Sequence, residues 1–484
     1  MNSAIIRYIT GWILKFLGCF LTLPLLVSII YKEERFWAWL LVMALSFGLG
    51  LFLSFRKPEK MEMYTREGFL SVSLSWILMS IVGALPFVIT GDIPNYVDAL
   101  FETISGFTTT GASILNDVES LSHSALFWRS FTHWIGGMGV FVFMLAILPM
   151  LGGSVMNLMK AESPGPSVDK LVPHVKDTAK ILYFIYLALT LIEILLLLIF
   201  GMPLFDSIVT GVGTTGTGGF GIKNDSVSGY SPAIQNIITI FMILSGVNYG
   251  AYFLLISKKF REIFHMEEVK WYFAAIISAS AVIAFNIQSM YGGLGEALHH
   301  AFFQVGSIIS STGFCTTDFD QWPQLSKTIL ITLMFVGACA GSTGGGIKIS
   351  RIVILFKTIR KEIYTIIHPR LVKKIRMDDH PVAHETIRAT NVFIAVYFVI
   401  LFVSLLFISF DEYNFTTNFT AVATTLNNIG PGMDLIGPTM NFSLFSVFSK
   451  FVLMFDMLAG RLELFPMLLL LTPAAWKKRT RFHK

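Results

Sequence analysis

Residues 210–221 read TGVGTTGTGGFG, a strip in which six of twelve residues are glycine. It contains a literal G-x-G-x-x-G, which binds dinucleotides when it follows a buried strand and opens the helix of a βαβ unit. Here the strip lies between two apolar runs of membrane length, 179–201 and 232–257. These flanks argue against a dinucleotide-binding fold, so the glycines require another explanation.

The composition places the strip in a membrane protein. Of the 484 residues, 54% are hydrophobic and 14% are charged, and the mean hydropathy is +0.67, far from the balance of a soluble domain. A hydrocarbon core about 30 Å thick needs about twenty mostly apolar residues per helix. The sequence therefore predicts ten membrane spans, in the stretches 8–30, 36–55, 68–90, 125–150, 179–201, 232–257, 270–291, 326–358, 389–410 and 444–473. The three cysteines are scattered without ligand spacing, so neither a zinc site nor a disulfide framework is predicted.

Lysine and arginine predict the orientation of these spans, because they accumulate in cytoplasmic loops. One set of loops, together with both termini, carries 28 basic residues, whereas the opposite set carries three. We therefore expect a multi-pass protein with both termini in the cytoplasm. The outer loops also hold 15 acidic residues, which either attract cations or collect there because basic residues are kept out.

The four long outer loops share one plan. Each begins with a helical stretch too short to span, continues with a polar strip that contains glycine, and leads to the next apolar run; the loops are 95–113, 203–221, 295–318 and 413–433. Aligned on their last common glycine, they place Gly111, Gly219, Gly313 and Gly430 in register, 108, 94 and 117 residues apart. Such a period indicates internal structural symmetry. We predict two N-terminal helices in 1–60, followed by repeats in 61–160, 161–262, 263–376 and 377–484.

Polar strips at membrane depth must be buried in protein or line water, because unpaired backbone groups are costly there. Four strips that converge on one axis would line a pore in which backbone carbonyls replace the water shell of a potassium ion. Glycine supplies the positive φ that such a strip requires, and each short helix would point its negative C-terminal end at the cation. One such loop alone is more simply a surface turn, but four in register favour a filter. The predicted potassium-binding residues are Thr109, Thr110, Gly111, Gly218, Gly219, Thr312, Gly313, Asn428, Ile429 and Gly430.

Five segments give a specific resemblance: TTTGAS (108–113), SSTGFCTTD (310–318), NNIGPGM (427–433), GACAGSTGGGIKISR (337–351) and GRLELFP (460–466). With them, the chain resembles over essentially its whole length the potassium-translocating subunits of bacterial Trk systems, in the wider superfamily of Trk, Ktr and HKT cation transporters. The second strip departs from the pattern by being richer in glycine. A register on Gly216 or Gly218 is an alternative to Gly219, which is preferred because Phe220 follows it as Phe314 follows Gly313.

The resemblance implies an all-α polytopic membrane protein with four channel-like M1–P–M2 repeats around one central pore, plus two extra N-terminal transmembrane helices. In each repeat, a short pore helix (P) lies between two spanning helices (M1 and M2). It further implies potassium as the transported ion, no covalent cofactor, no enzymatic activity and a place in the inner membrane of a bacterium. The implied partners are a second copy in a homodimer, a cytoplasmic ring of a nucleotide-binding (NAD or ATP type) regulatory protein, and membrane lipid, whereas nucleic acid is not expected.

Five glycines within ten residues interrupt the eighth apolar stretch. So many glycines do not sustain a helix, which favours an intramembrane loop that blocks the pore beneath the filter and moves aside on opening. Close helix packing through Gly337-x-x-x-Gly341 is the alternative. The predicted gate residues are Gly341, Ser342, Thr343, Gly344, Gly345 and Gly346, with Lys348 at the cytoplasmic end of the loop.

Arg461 is the last predicted gate residue, because it lies inside the tenth apolar stretch, where a charge is costly and faces a cavity or a partner. It would form a positive barrier below the filter. The alternative is a static pair with Asp456, with Glu463 or with carbonyls of the glycine loop. The histidines of the outer half, His123, His133, His299 and His300, have no metal-ligand spacing and are interpreted as packing or interfacial residues.

Two other functions remain as alternatives. A secondary transporter of a small organic solute coupled to ions would bind its substrate between glycine-broken helices. It predicts inverted repeats and membrane-embedded carboxylates, whereas the four repeats here run in the same sense. An enzyme built on the G-x-G-x-x-G is the third hypothesis, but the sequence contains no catalytic constellation to support it.

Overall fold

The computed structural model describes residues 2–59, 64–147, 175–369 and 374–477. Within these ranges the chain is helical apart from turns and one antiparallel hairpin, β1 (Arg376–Met377) with β2 (His380–Pro381), which confirms the all-α prediction. The expected boundaries at 60/61 and 160/161 lie outside the described residues. The expected boundary at 376/377 falls inside β1.

Three helices form the N-terminal part: α1 (Ser3–Phe20), α2 (Thr22–Ile30) and α3 (Phe36–Ser54). Small residues let α1 and α3 approach closely. A Cβ added to Gly11 would lie 2.8 Å from the carbonyl oxygen of Gly50, and Ser46 Oγ donates to the Leu14 carbonyl over 2.7 Å. Helices α1 and α3 therefore pack as a close pair. The pair also contacts the chain that follows, where Trp39 Nε1 donates to Ser124 Oγ over 3.0 Å.

Four units of similar order come next, each with a long helix, a short helix, an extended strip and a second long or broken helix. The first unit contains α4 (Thr65–Thr90), α5 (Tyr96–Phe107) and α6 (His123–Ile147), and the second contains α7 (Val175–Ile199), α8 (Leu204–Thr215), α9 (Pro232–Ser245) and α10 (Tyr249–Ile256). The third unit contains α12 (Glu267–Ile287), α13 (Leu294–Ile309), α14 (Gln324–Val336) and α15 (Ile349–Ile367). The fourth unit contains α16 (His384–Ile408), α17 (Phe415–Leu426), α18 (Val447–Arg461) and α19 (Phe465–Leu471). Two four-residue helices, α11 (Phe260–Ile263) and α20 (Pro473–Trp476), lie between and after these units.

The short helices α5, α8, α13 and α17 have 12, 12, 16 and 12 residues. At 1.5 Å per residue they are about 18–24 Å long, so they do not cross a hydrocarbon core of about 30 Å. Side-chain caps fix two of their starts: Asn95 accepts from the Val97 N–H over 2.9 Å, and Asn414 accepts from the Thr417 N–H over 2.8 Å. Each short helix ends where its strip begins.

The prediction of ten membrane spans, of which only the eighth was expected to be interrupted, is corrected in part. Among the described residues, six helical stretches are long and apolar enough to cross a membrane, and α9 with α10 is a seventh if that pair, bent by 95°, counts as one span. The stretch 326–358 is divided between α14 and α15 by residues 337–348, and 444–473 is divided between α18 and α19 at Leu462–Leu464. The stretch 125–150 runs as α6 up to the edge of the described residues. The chain is a multi-pass membrane protein whose later M2 helices are interrupted.

Candidate functional site

The four strips have the same backbone conformation. In each, two residues separated by one have positive φ, and the second of the two is glycine. The pairs are Thr109 (55°) and Gly111 (79°), Thr217 (55°) and Gly219 (72°), Ser311 (57°) and Gly313 (90°), and Asn428 (54°) and Gly430 (98°). Non-glycine residues adopt positive φ uncommonly, so its recurrence at four equivalent positions reflects one shared geometry.

Each strip leaves its short helix through the same pair of hydrogen bonds. After α5, the Thr109 N–H donates to the Gly106 carbonyl over 3.0 Å, and the Thr110 N–H donates to the Ser105 carbonyl over 2.9 Å. The two equivalent N–H to carbonyl hydrogen bonds measure 2.9 and 3.0 Å after α8. They measure 3.0 and 2.9 Å after α13, and 3.3 and 2.9 Å after α17. This closure is the Schellman motif, and it directs all four strips away from their helices in the same way.

The four strips meet in a closed ring. A Cβ on Gly111 would overlap the carbonyl oxygen of Gly218 in the next strip. A Cβ on Gly219 would overlap the carbonyl oxygen of Thr312, and a Cβ on Gly313 would overlap the carbonyl oxygen of Ile429. The ring closes where a Cβ on Gly430 would lie 2.8 Å from the carbonyl oxygen of Thr110. Each glycine thus faces the carbonyl that precedes the matching glycine of the next unit. Gly219 holds this position in the second strip, whereas Gly216 is the helix C-cap with φ −70°.

One side of the ring opens into a cavity of about 160 Å³. The glycines Gly111, Gly219, Gly313 and Gly430 all line it, together with residues of the loops that follow the strips. Asn116 and Asn224 are among the polar residues of its wall. The ring therefore has an accessible entrance on the side of the outer loops.

Side chains brace the strips from behind. Thr108 and Thr110 share a hydroxyl–hydroxyl hydrogen bond of 2.7 Å, and Ser310 and Thr312 repeat it at the same length. Asn428 donates from Nδ2 to Thr110 Oγ1 over 3.0 Å and to the Met457 carbonyl over 2.9 Å. Asn428 thus joins the fourth strip to the first and to α18.

A buried ion pair, which the sequence analysis missed, holds the first two strips. Arg129 contacts Glu102 through Nε (2.8 Å) and Nη2 (2.7 Å), and both side chains are almost fully buried. Glu102 also accepts from the Ile114 N–H over 3.0 Å, and Arg129 donates to the Gly221 carbonyl over 3.1 Å. The available signal was the one used for Arg461, because Arg129 is likewise an arginine inside an apolar stretch.

The segment 337–348, here called the gate segment, lies against the base of the strips. The Gly345 N–H donates to Ser311 Oγ over 2.6 Å. A Cβ on Gly345 would overlap the Asn427 carbonyl oxygen, and one on Gly344 would lie 2.8 Å from that of Ser310. The gate segment therefore touches the third and fourth strips directly, on the side opposite the outer cavity.

The two ends of the gate segment are fixed by one carboxylate. Glu268 of α12 is buried, and its Oε1 accepts from the Ala340 N–H over 2.6 Å and from the Ser350 N–H over 3.2 Å. Lys348 is buried as well, and its Nζ donates to the Gly344 carbonyl within the segment. Lys348, the last residue of the segment, thus folds its side chain back into the segment.

Arg461 reaches the gate segment from α18. Its Nη1 donates to the Thr343 carbonyl over 2.6 Å, and its Nη2 donates to the Gly136 carbonyl of α6 over 2.7 Å. Three kinds of partner were expected as the alternative to a pore role. The glycine-loop carbonyl of Thr343 is one of them and accepts from Arg461, whereas Asp456 accepts from Ser404 and Glu463 pairs with Arg351. Arg461 therefore links the gate segment to helices of the first and fourth units.

The predicted site residues thus form two adjoining groups. The ten strip residues contribute to the ring, and the gate residues lie beneath it. His133 is more than a packing residue, because its ring hydrogen-bonds both α5 and the second strip. His299 and His300 lie away from the ring, on α13, where His299 contacts Gln235 and Asn236.

Comparisons with known proteins agree with this architecture. The profile of the family described as TrkH, cation transport protein, matches residues 38–478. The chain is 38% identical to the Trk system potassium uptake protein TrkH of Salmonella typhimurium strain LT2, covering 99% of this chain and 100% of that protein. It is 31% identical to the Trk system potassium uptake protein TrkG of Escherichia coli strain K12, with the same coverage.

A solved structure shows the same fold. The crystal structure of the potassium transporter TrkH from Vibrio parahaemolyticus matches with a TM-score of 0.88 and 31% sequence identity, covering 99% of this chain and 100% of that one. The printed descriptions are of cation transport and potassium uptake proteins, and they favour ion transport over the two alternative functions.

Proposed function

The chain belongs to the TrkH family of cation transport proteins, and we propose that it takes up potassium through a pore whose selectivity filter is the ring of four strips. The observation that carries this proposal is the ring itself, in which each glycine faces a carbonyl of the next unit. The names of the relatives, which are potassium uptake proteins, support the choice of ion.

In this proposal the strip carbonyls take the place of water around the ion. Alternation of positive and negative φ lets successive carbonyls face the same side of a strip, which is how a filter presents a cage of oxygens. The residues that would contribute are Thr109 to Gly111, Gly218 and Gly219, Thr312 and Gly313, and Asn428 to Gly430. Their hydroxyl and amide braces keep the cage open, so the ion does not have to order it on entry.

The gate segment would close this path from below. Its backbone contacts the base of the third and fourth strips through Gly344 and Gly345, where an ion leaving the filter must pass. Arg461 holds Thr343 of the segment and adds a positive charge near the path. Opening then requires that residues 341–346 move aside while Glu268 retains the ends.

The proposed assembly follows the family. We place the protein in a bacterial inner membrane with both termini in the cytoplasm, as a homodimer regulated by a cytoplasmic ring of nucleotide-binding protein. The relatives are named as parts of a Trk system, which supports a partner. The basic residues around α15 would face that partner, because they belong to the loop set that carries most of the lysine and arginine.

Ion flux into liposomes tests the proposed function. Purified protein should carry rubidium or potassium into vesicles, and sodium should compete weakly for the same path. A parallel assay with an opposing sodium gradient separates passive from coupled movement. Equal uptake of potassium and sodium by a folded protein would contradict the proposal.

A further inference from the structure

The second strip lacks a side chain where the other three have one. The residue before the ring glycine is Thr110, Thr312 or Ile429 in the first, third and fourth strips, but Gly218 in the second. A Cβ on Gly218 would overlap the imidazole ring of His133. The side-chain space of the second strip is therefore occupied by a residue of the first unit.

His133 also binds the backbone on both of its sides. Its Nδ1 lies 2.8 Å from the Gly106 carbonyl oxygen near the end of α5, and its Nε2 accepts from the Phe220 N–H over 3.3 Å. Since a carbonyl only accepts and an amide N–H only donates, the neutral ring protonated on Nδ1 is the form that satisfies both contacts. The side chain is fully buried, so these contacts have no competition from bulk water.

Close approach of two backbones brings the ring to this place. A Cβ on Gly137 would lie 2.9 Å from the Cα of Gly216, and a Cβ on Gly216 would lie 2.6 Å from the His133 carbonyl oxygen. The Phe220 ring covers the imidazole, with 4.3 Å between ring centroids. The glycines that give the second strip its unusual composition are thus those that let α6 contact it.

The hydrogen bond to Phe220 fixes one carbonyl of the ring. The Phe220 N–H and the Gly219 carbonyl belong to one planar trans peptide, so they point in opposite directions. When His133 holds the N–H toward α6, the Gly219 carbonyl turns away from α6. No other strip receives a histidine in this way among the described residues.

We infer that His133 is a positioning residue for ion selectivity: it replaces the missing side chain at Gly218 and orients the Gly219 carbonyl. This inference rests on the proposed function, in which the strips form a potassium filter. Gly218 and His133 then depend on each other, because the imidazole fits only where residue 218 has no side chain.

Four variants test the pair, with the potassium-to-sodium permeability ratio in liposomes as the readout. Gly218→Ala pushes the imidazole away, and His133→Ala removes both hydrogen bonds, so each should lower the ratio by roughly fivefold, about the value of one backbone hydrogen bond. In the double variant, the permeability ratio should fall by less than the product of the two single reductions. The reason is that the methyl group introduced at position 218 enters the space that the imidazole has left. His133→Gln, which keeps a donor and an acceptor, should recover part of the ratio.

The controls separate the outcomes. His123→Ala changes an exposed histidine at the start of the same helix and should leave the ratio unchanged. Gly313→Ser, which changes the ring glycine of the third strip and leaves Gly218 and His133 unaltered, should lower the ratio if the ring selects ions. A wild-type ratio in Gly218→Ala, or full multiplication of the two effects in the double variant, overturns the inference while the filter stands. If wild-type protein has no potassium preference, the proposed function fails and the inference fails with it. Should His133→Ala not fold, Gly218→Ala and His133→Gln still decide.

Discussion

Arg461 donates a 2.6 Å hydrogen bond to the carbonyl oxygen of Thr343, and so ties the C-terminal end of α18 to the gate segment. The second arm of the same guanidinium donates to Gly136 over 2.7 Å. One side chain therefore spans the first, third and fourth units directly below the ring.

Arg461→Ala should raise potassium flux per folded protein. It removes two hydrogen bonds from a charged donor, each contributing about 1.5–3 kcal/mol, and it removes a positive charge that opposes the cation. Arg461→Lys keeps the charge but lacks the planar fork, so its flux should lie between that of wild type and that of the alanine variant. Arg261→Ala, at an exposed position on α11, is the control. A lower thermal midpoint without higher flux would show that Arg461 is only structural.

Gly345→Ala should weaken the seating of the gate segment. The new methyl group would overlap the Asn427 carbonyl oxygen, so the segment must withdraw from the strips. Flux should then rise and depend less on the proposed regulatory partner. Shortening residues 341–346 should have a larger effect in the same direction. Gly48→Ala is a matched control, because no atom lies within 4 Å of a Cβ at that helical position. Unchanged flux in a folded Gly345→Ala protein would contradict a blocking role.

The Glu102–Arg129 pair gives a prediction for stability and selectivity together. Breaking a buried ion pair by removing one partner typically costs about 3–5 kcal/mol, so Glu102→Gln and Arg129→Met should each lower the thermal midpoint. Because the pair also holds Ile114 and Gly221, both variants should reduce the preference for potassium. The double variant should be more stable than the sum of the single losses predicts. Strictly additive losses in thermal midpoint and in ion preference would contradict the coupling.

The contacts of Asp434 lead to a prediction about how the stability of the protein changes in acid. Hydrogen bonds from the side chains of Thr417 and Asn414 lower the pKa of this carboxyl group. A group with a depressed pKa stabilises the fold above its unfolded pKa of about 4 and loses that contribution as the pH falls through its lower folded value. Asp434→Asn should therefore reduce stability at neutral pH and flatten the decline in acid, measured as thermal midpoint from pH 7 to pH 3. A parallel decline in both proteins would exclude Asp434 as a contributor.

Periodicity and apolar length were sufficient to predict the helical units and the common register of their glycines. The positions of Gly111, Gly313 and Gly430 followed from matching motifs. At each of them positive φ coincides with a close approach to a carbonyl of the next unit, which leaves no room for a Cβ. The second strip offered several glycines, and its register became evident only when Gly219 was seen to face Thr312.

Contacts between units were beyond the sequence. His133 and Gly218 are 85 positions apart, and nothing local to either residue indicates that one fills the space of the other. The breaks in α9–α10 and α18–α19 were also missed, because the residues on both sides of each break are mostly apolar. The buried role of Arg129 could have been inferred from the sequence, since a charge in an apolar stretch indicates a buried partner without any structure.

The most direct test of the account is the potassium-to-sodium permeability ratio of wild type and Gly313→Ser in liposomes, with Gly48→Ala as the control. Gly313 has φ +90°, and a Cβ there would overlap the Ile429 carbonyl oxygen. A side chain in left-handed backbone costs about 1–2 kcal/mol, so we expect a potassium-selective wild type and a ratio lower by roughly tenfold in Gly313→Ser. A folded Gly313→Ser protein with the wild-type ratio would contradict the assignment of the ring as the selectivity filter.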